Sequence, residues 1–250
     1  MFHKYLSDAI PLYLILLTDS QSTMSLAIFD LDNTLLADDS DYLWGQFLVD
    51  RGIVDATYYA QENERFYQEY KEGHLDIHEF LNFSLKPLAD NSLKNLHQWR
   101  NQFMDEVIRP ILLVPAQELI NKHKQRGDTL LVITATNHFV TEPIVNLYGI
   151  DNLLATTPEL IAEQYTGKVA GTPCFQEGKV TRLHQWLQET KHTLDDSWFY
   201  SDSHNDLPLL KQVTHPVAVN PDNALKLFAE KSDWPIISLR EQQCPVHHFK

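Results

Sequence analysis

The chain predicts an α/β fold, a Rossmann-like parallel sheet with helices on both faces, interrupted after its first strand by an inserted all-helical cap domain. Three observations carry this. Leu26 to Phe29 is a short apolar run that stops at a pair of acids, Asp30 and Asp32. The next seventy to eighty residues are patterned as helices, with no convincing strand among them. From about residue 114 to 240, strand-sized apolar runs alternate with amphipathic helices, the rhythm of βαβ units.

The elements follow in order. Leu26–Phe29 reads as a buried strand, because a fully covered parallel strand is continuously apolar. After Leu36, Tyr42, Leu43, Phe47 and Leu48 share a helix face while Asp41, Gln46 and Asp50 point away. Helices are predicted near 40–51, 56–72, 76–86 and 92–108, separated at Gly52, Gly73 and Pro87. A run of this length exceeds an ordinary crossover, so residues 38–112 are read as a cap domain and residues 24–37 with 113–240 as the core. The core continues with helix 115–126, strand Thr129–Thr134, helix 138–148 and strand Leu153–Thr156. A polar, glycine-containing excursion at 163–175 precedes helix 179–190, strand Trp198–Tyr200, helix 205–212, strand Pro216–Val219, helix 222–231 and strand Pro235–Ser238.

Residues 1–23, ahead of Met24, are read as an N-terminal extension and residues 241–250 as a tail. Ile10 to Leu17 is too short to span a bilayer, and Asp19-Ser20-Gln21 is a poor signal-cleavage site. The chain has 250 residues, 43% of them hydrophobic, enough for a full core. Its formal net charge of −14, with no Lys/Arg-rich run, excludes electrostatic binding to nucleic acid or an anionic membrane. Two distant cysteines, Cys174 and Cys244, form no disulfide or zinc pattern, and a cytoplasmic protein is expected.

The chemistry-bearing residues lie where strands end, the usual place for sites in open α/β sheets. Asp30 and Asp32 emerge together from the first strand: one carboxylate can attack phosphorus while the other moves protons. Leu130 to Ile133 ends at Thr134, whose hydroxyl, with the Ala135 amide, can hold a phosphoryl oxygen. The strand Trp198-Phe199-Tyr200 ends in Ser201-Asp202-Ser203-His204-Asn205-Asp206, a second acidic cluster. Mg²⁺ gives two clusters of hard oxygens a common purpose, with Asp30 and Asp202 as direct ligands, Asp32 through its carbonyl, and Asp206 holding metal-bound water. Lys179 is the cation that neutralises Asp30 and the transferring phosphoryl group. His74 and His78, four residues apart, lack a third ligand and an H-E-x-x-H pattern, so no zinc site is expected.

In order and spacing, Asp30-Leu31-Asp32-Asn33-Thr34, Thr134, Lys179 and Ser201 to Asp206 resemble the four motifs of the haloacid dehalogenase superfamily. The likeness covers about residues 25–240 and is strongest to the phosphoserine-phosphatase-like branch, whose members carry a helical, C1-type cap between the first two motifs. Ser201, Ser203 and Ala135 stand where that family often has glycine. The resemblance implies a phosphatase acting on a small phosphorylated metabolite: Asp30 forms an aspartyl-phosphate, Asp32 is the acid and then the base, and Asn205 joins Thr134, Ala135 and Lys179 in binding phosphate or substrate.

Substrate choice falls to the helical insertion, where fourteen Asp plus Glu stand against seven Lys plus Arg between Asp38 and Arg109. Asp39 occupies the position at which phosphoserine phosphatases meet the substrate ammonium. Their S-L-R-x-R-like stretch, which binds the substrate carboxylate, is missing here. The likeness, including Asp39 to Trp44 and Pro173 to Lys179, extends to branch members described as histidinol-phosphate phosphatases. Histidinol phosphate is therefore the expected substrate, with phosphoserine or another amino-alcohol phosphate as the alternative; Tyr42, Trp44, Phe66 and Tyr67 are candidates to stack on an imidazole. Two other classes use similar residues: a phosphoacceptor signalling module, and a non-catalytic binding protein that retains the fold.

Overall fold

The structure, a computed structural model, describes residues 25–240; the expected N-terminal extension and C-terminal tail, with Cys244, lie outside the described residues. Strand β1 (Leu26–Phe29) is buried at all four positions. Its chain then enters a helical stretch: α1 (Ser40–Asp50), α2 (Ala56–Glu72), α3 (Ile77–Ser84), α4 (Lys86–Asp90), α5 (Leu93–Phe103) and the short α6 (Arg109–Ile111). The helix expected over 76–86 stops at Ser84, and α4 restarts with a proline in its first turn. The one expected over 92–108 widens into a π-helical turn at Met104–Ile108 just before Pro110, which has no N–H to continue the ladder. The stretch is pinned where it leaves and rejoins the sheet by an antiparallel bridge between Leu36 and Leu112 and by Ala37 N–H donating to Ile111 O over 2.9 Å.

The remainder alternates: α7 (Val114–Arg126), β2 (Thr129–Asn137), α8 (His138–Leu147), β3 (Asn152–Thr156), β4 (Pro158–Ile161), β5 (Gln164–Val169), α9 (Glu177–Thr190), β6 (Trp198–Ser201), α10 (Leu207–Leu210), β7 (His215–Val219), α11 (Asn223–Lys231) and β8 (Ile236–Ile237). Six strands form one parallel sheet in the order β3-β2-β1-β6-β7-β8. With β1 between β2 and β6, the ends of all three strands open on one edge. Side chains alternate across β1: Ala27 and Phe29 join the core with Ala116 and Ile120 of α7, while Leu26 and Ile28 join Leu183 and Leu187 of α9. Helices therefore cover both faces.

Two expectations are corrected. The polar excursion at 163–175 begins as the second strand of a hairpin, β4–β5, whose two-residue turn at Ala162-Glu163 has positive φ at both positions. Helix 205–212 is a 3₁₀ turn at His204–Asp206 followed by the single-turn α10, since Pro208 can enter a helix only in its first turn. Among the described residues no helix is long and apolar enough to cross a membrane.

Candidate active site

Asp30 continues the sheet, its N–H donating to Tyr200 O over 2.9 Å, and this fixes its side chain at the rim. Its carboxylate is 4% exposed and accepts from Lys179 Nζ over 2.8 Å. Lys179, itself 3% exposed, lies 2.7 Å from Asp206 Oδ1 and 2.8 Å from Oδ2. Ser201 Oγ donates to Asp206 over 2.7 Å. One buried ammonium thus bridges the ends of β1 and β6.

Lys179 reaches this place because helix α9 starts against the segment before it. Gly178 N–H donates to Phe175 O over 2.7 Å, and a Cβ on Gly178 would stand 2.0 Å from Pro173 O. Only glycine permits that approach.

Asp32 is held from three sides. Ser40 N–H, at the start of α1, donates to Oδ1 over 2.7 Å, while Thr136 Oγ1 and Thr134 Oγ1 donate to Oδ2 over 2.8 and 3.3 Å. Strand β2 does not end at Thr134 as its sequence suggests; it runs on to Asn137 with a register irregularity after Thr134. Thr34 Oγ1 donates to Asp202 Oδ1 over 3.1 Å.

Two carboxylates, Asp30 and Asp206, therefore pair with one ammonium, and Asp32 and Asp202 stand at the same strand ends without contacting it. Burial raises Asp30 to about 7, with Lys179 opposing and Asp206 adding to the rise. Burial also raises Asp32, against the hydrogen bonds from Ser40 and Thr136. Asp202 is pushed well above the carboxylate range by burial and by the charges of Asp30 and Asp206. Burial alone would lower Lys179, but the facing Asp206 and Asp30 reverse this and keep it protonated.

This donor set fits Mg²⁺. The carboxylates of Asp30 and Asp202 are hard oxygen donors with an excess of negative charge, and the Asp32 carbonyl accepts no hydrogen bond among the described residues. No three His, Cys, Asp or Glu side chains close on a common point among the described residues, but Mg²⁺ needs only one or two carboxylates with water.

Asp30, Asp32, Thr134, Ala135, Lys179 and Asp39 line one cavity between the sheet rim and the helical stretch. Its far wall is aromatic: Tyr42 and Tyr67 have ring centroids 4.7 Å apart, and Tyr70 faces Phe175 at 6.1 Å. Asp202 lies at the adjoining opening beside Asn33 and Arg240. Asp206 stands behind Lys179. Asn205 does not line the cavity, because its amide donates to Tyr70 O over 3.1 Å and accepts from Gln176 over 2.8 Å, tying α2 to the core. Trp44 is likewise absent from the cavity; it is 2% exposed and packed against Phe47 and Phe103. Asp39 accepts from the N–H groups of Asp41 and Tyr42 as the N-cap of α1. Thr34, Ser40, Asp41, Thr136 and Ser201 were not selected from sequence as site residues, although the alternation Thr134-Ala135-Thr136 in an extended strand puts both hydroxyls on one side.

A parallel sheet whose central strand ends at a lysine-anchored set of carboxylates under an aromatic lid defines a phosphoric monoester hydrolase. More narrowly, the chain belongs to the haloacid dehalogenase-like hydrolase family, whose model matches residues 27–211. It is similar to a histidinol-phosphatase of Neisseria meningitidis serogroup C (strain 8013), with 46% identity covering 86% of this chain and 99% of the relative. Phosphoserine phosphatase SerB1 of Mycobacterium tuberculosis (strain H37Rv) is 28% identical, over 86% of this chain and 70% of that one. Among solved structures, a Bordetella pertussis Tohama I protein of unknown function is 43% identical with a TM-score of 0.82, covering 87% of this chain and all 100% of that one. A substrate-bound phosphoserine phosphatase shares the fold at 21% identity and a TM-score of 0.64, covering 85% and 92%.

Proposed function

We propose that the protein is a Mg²⁺-dependent phosphatase that hydrolyses histidinol phosphate through an aspartyl-phosphate on Asp30. Asp30 attacks phosphorus in line, forming a new P–O bond as the bond to the leaving alcohol breaks, and Asp32 delivers the proton that the alcohol oxygen takes up. Asp32, now ionised, removes a proton from water; the hydroxide oxygen attacks the same phosphorus, releasing inorganic phosphate and restoring Asp30. Thr134, the Ala135 amide and Lys179 hold the phosphoryl oxygens, and Asp206 keeps Lys179 aimed at them. Bound by the Asp30 and Asp202 carboxylates and the Asp32 carbonyl, Mg²⁺ supplies positive charge that lets an anionic nucleophile meet an anionic phosphate.

One observation carries the substrate. Among the described residues Lys179 is the sole basic side chain lining the cavity, and two carboxylates already claim it. A substrate carboxylate would find no free cation among them, which disfavours phosphoserine. Asp41 and the aromatic wall suit a leaving group that is cationic and partly aromatic, as in the substrate that names the Neisseria relative.

The test is Mg²⁺-dependent phosphate release from histidinol phosphate, phosphoserine, phosphoethanolamine and a sugar phosphate, with the Asp30→Asn protein as control. Histidinol phosphate is expected to lead phosphoserine by at least about tenfold in kcat/KM, equal to about 1.4 kcal/mol of transition-state preference. Asp30→Asn should lose about a thousandfold or more in kcat. Equal turnover by Asp30→Asn would defeat the mechanism, and a sugar phosphate in first place would defeat the substrate. A phosphoacceptor signalling module would instead keep its phosphate for minutes, and Asp32 beside Asp30 argues against that.

A further inference from the structure

The geometry points to Asp41, rather than Asp39, as the side chain that receives the protonated nitrogen of the leaving alcohol and so sets the preference for cationic phosphoesters. This rests on the phosphomonoesterase reading above and names its specificity residue.

Both acids line the cavity, but their oxygens are differently occupied. Asp39 Oδ1 accepts two backbone N–H groups, from Asp41 and Tyr42, each at 2.9 Å. These bonds cap helix α1 and orient the carboxylate toward its own backbone. Asp41 caps nothing. Its single hydrogen bond is a long one, 3.4 Å from Asn137 Nδ2 to Oδ1, and among the described residues no Lys, Arg or His pairs with it. A half-buried carboxylate with one weak contact and no ion pair among the described residues is free to take a cationic partner.

The surroundings fit a cation. Asp41 and Asp32 open on the same cavity, so a leaving oxygen at Asp32 and a nitrogen at Asp41 can belong to one small molecule. Tyr42 and Tyr67 line the same cavity, their rings tilted with centroids 4.7 Å apart; Lys71 Nζ already lies over the Tyr67 ring, so the Tyr42 ring is the one offered to an ammonium or imidazolium ion. The cations carried by α2 are engaged elsewhere: Arg65 with Glu62, Glu69 and Glu79, and Lys71 over the Tyr67 ring. Burial and the Asp32 charge raise Asp41 to about 7, against the Asn137 contact, and the same two causes raise Asp39, so the two acids are told apart by their hydrogen bonds.

The experiment measures kcat/KM for histidinol phosphate and for 4-nitrophenyl phosphate, with competitive inhibition by free histidinol, in the wild-type full chain and in Asp41→Asn, Asp41→Glu and Asp39→Asn. In Asp41→Asn the ratio of cationic to neutral ester should fall at least about 30-fold and histidinol should cease to inhibit, because a charged partner has been removed from one substrate alone. Asp41→Glu should recover part of the ratio. Asp39→Asn should move the ratio less than about threefold, its loss being read in Tm as a weakened cap. An Asp41→Asn protein that keeps the wild-type ratio, or an Asp39→Asn protein that collapses it, overturns the assignment. Should Asp41→Asn lack the native circular dichroism spectrum, Asp41→Ser decides by the same criterion. Wild-type protein that releases phosphate from neither ester defeats the phosphatase reading itself, whereas the variant ratios bear on Asp41 alone.

Discussion

The Ser40 N–H donates to Asp32 Oδ1 over 2.7 Å, so the first residue of helix α1 holds the carboxylate assigned to proton transfer. The helical stretch that covers the cavity is thereby joined to the chemistry by a backbone bond.

Ser40→Pro tests that bond. Ser40 is the first residue of α1, where proline suits a helix, and Asp39 before it is already extended (φ −93°, ψ 112°). The variant removes that N–H together with the buried Ser40 hydroxyl, so Ser40→Ala, which keeps the N–H, is its control; kcat of Ser40→Pro should fall about 10- to 100-fold below that of Ser40→Ala with unchanged helical circular dichroism. A kcat within twofold of Ser40→Ala would mean that the Ser40 N–H does not orient Asp32.

Lys179→Met should destabilise the protein by about 3–5 kcal/mol, because it strands the buried Asp30 and Asp206 carboxylates without their cation. For a chain of this size that is on the order of 10 °C in Tm. Adding Asp30→Asn and Asp206→Asn to Lys179→Met should restore most of the loss; thermal melts of the single and triple variants decide it.

Asp41 makes a prediction for stability against pH. Its pKa is raised from 3.8 to about 7 by burial and by Asp32, so the folded state binds the proton more tightly than the unfolded state does. The stabilisation is complete below pH 3.8 and is lost as pH rises through about 7. Asp41→Asn has no proton to lose. In melts without divalent cations, its Tm should match wild type only below about pH 3.8, exceed it already at pH 5, where the unfolded Asp41 has ionised, and exceed it by at least about 3 °C at pH 8. A gap that narrows with rising pH would contradict the sign.

Gly178→Ala forces a methyl group to within 2.0 Å of Pro173 O, a backbone atom that cannot rotate away. The start of α9 must shift, carrying Lys179 with it. We expect kcat to fall about 100-fold, since a displacement near 1 Å is enough to misplace a positioned group.

Much of this was legible in the sequence, for identifiable reasons. β1 could be read because four apolar residues with covered side chains end at two acids, and Asp30, Asp32 and Lys179 indeed meet around one cavity. The hairpin β4–β5 was hidden because its turn, Ala162-Glu163, carries none of the Asn-Gly or Asp-Gly chemistry that marks such turns. Asn205 read as a substrate contact from its motif, yet its amide is spent between Tyr70 and Gln176, a long-range pairing that no local pattern encodes. Trp44 sits among aromatic residues that do line the cavity, and only tertiary packing turns it toward Phe103. Asp41 looked like a solvated position because helical periodicity separates faces without saying which neighbour covers each one.

The central position of β1 has a consequence for how such a protein diversifies. Asp30 and its partners inherit their separation from a ladder of backbone bonds between β1, β2 and β6, and that framework changes little when surface side chains are exchanged. Much of the cavity wall facing that rim, Asp41, Tyr42, Asn63, Phe66, Tyr67 and Tyr70, sits on α1 and α2, outside that ladder. A lineage can therefore acquire a taste for new alcohols by rewriting a few helical positions while the bond-breaking apparatus stays put.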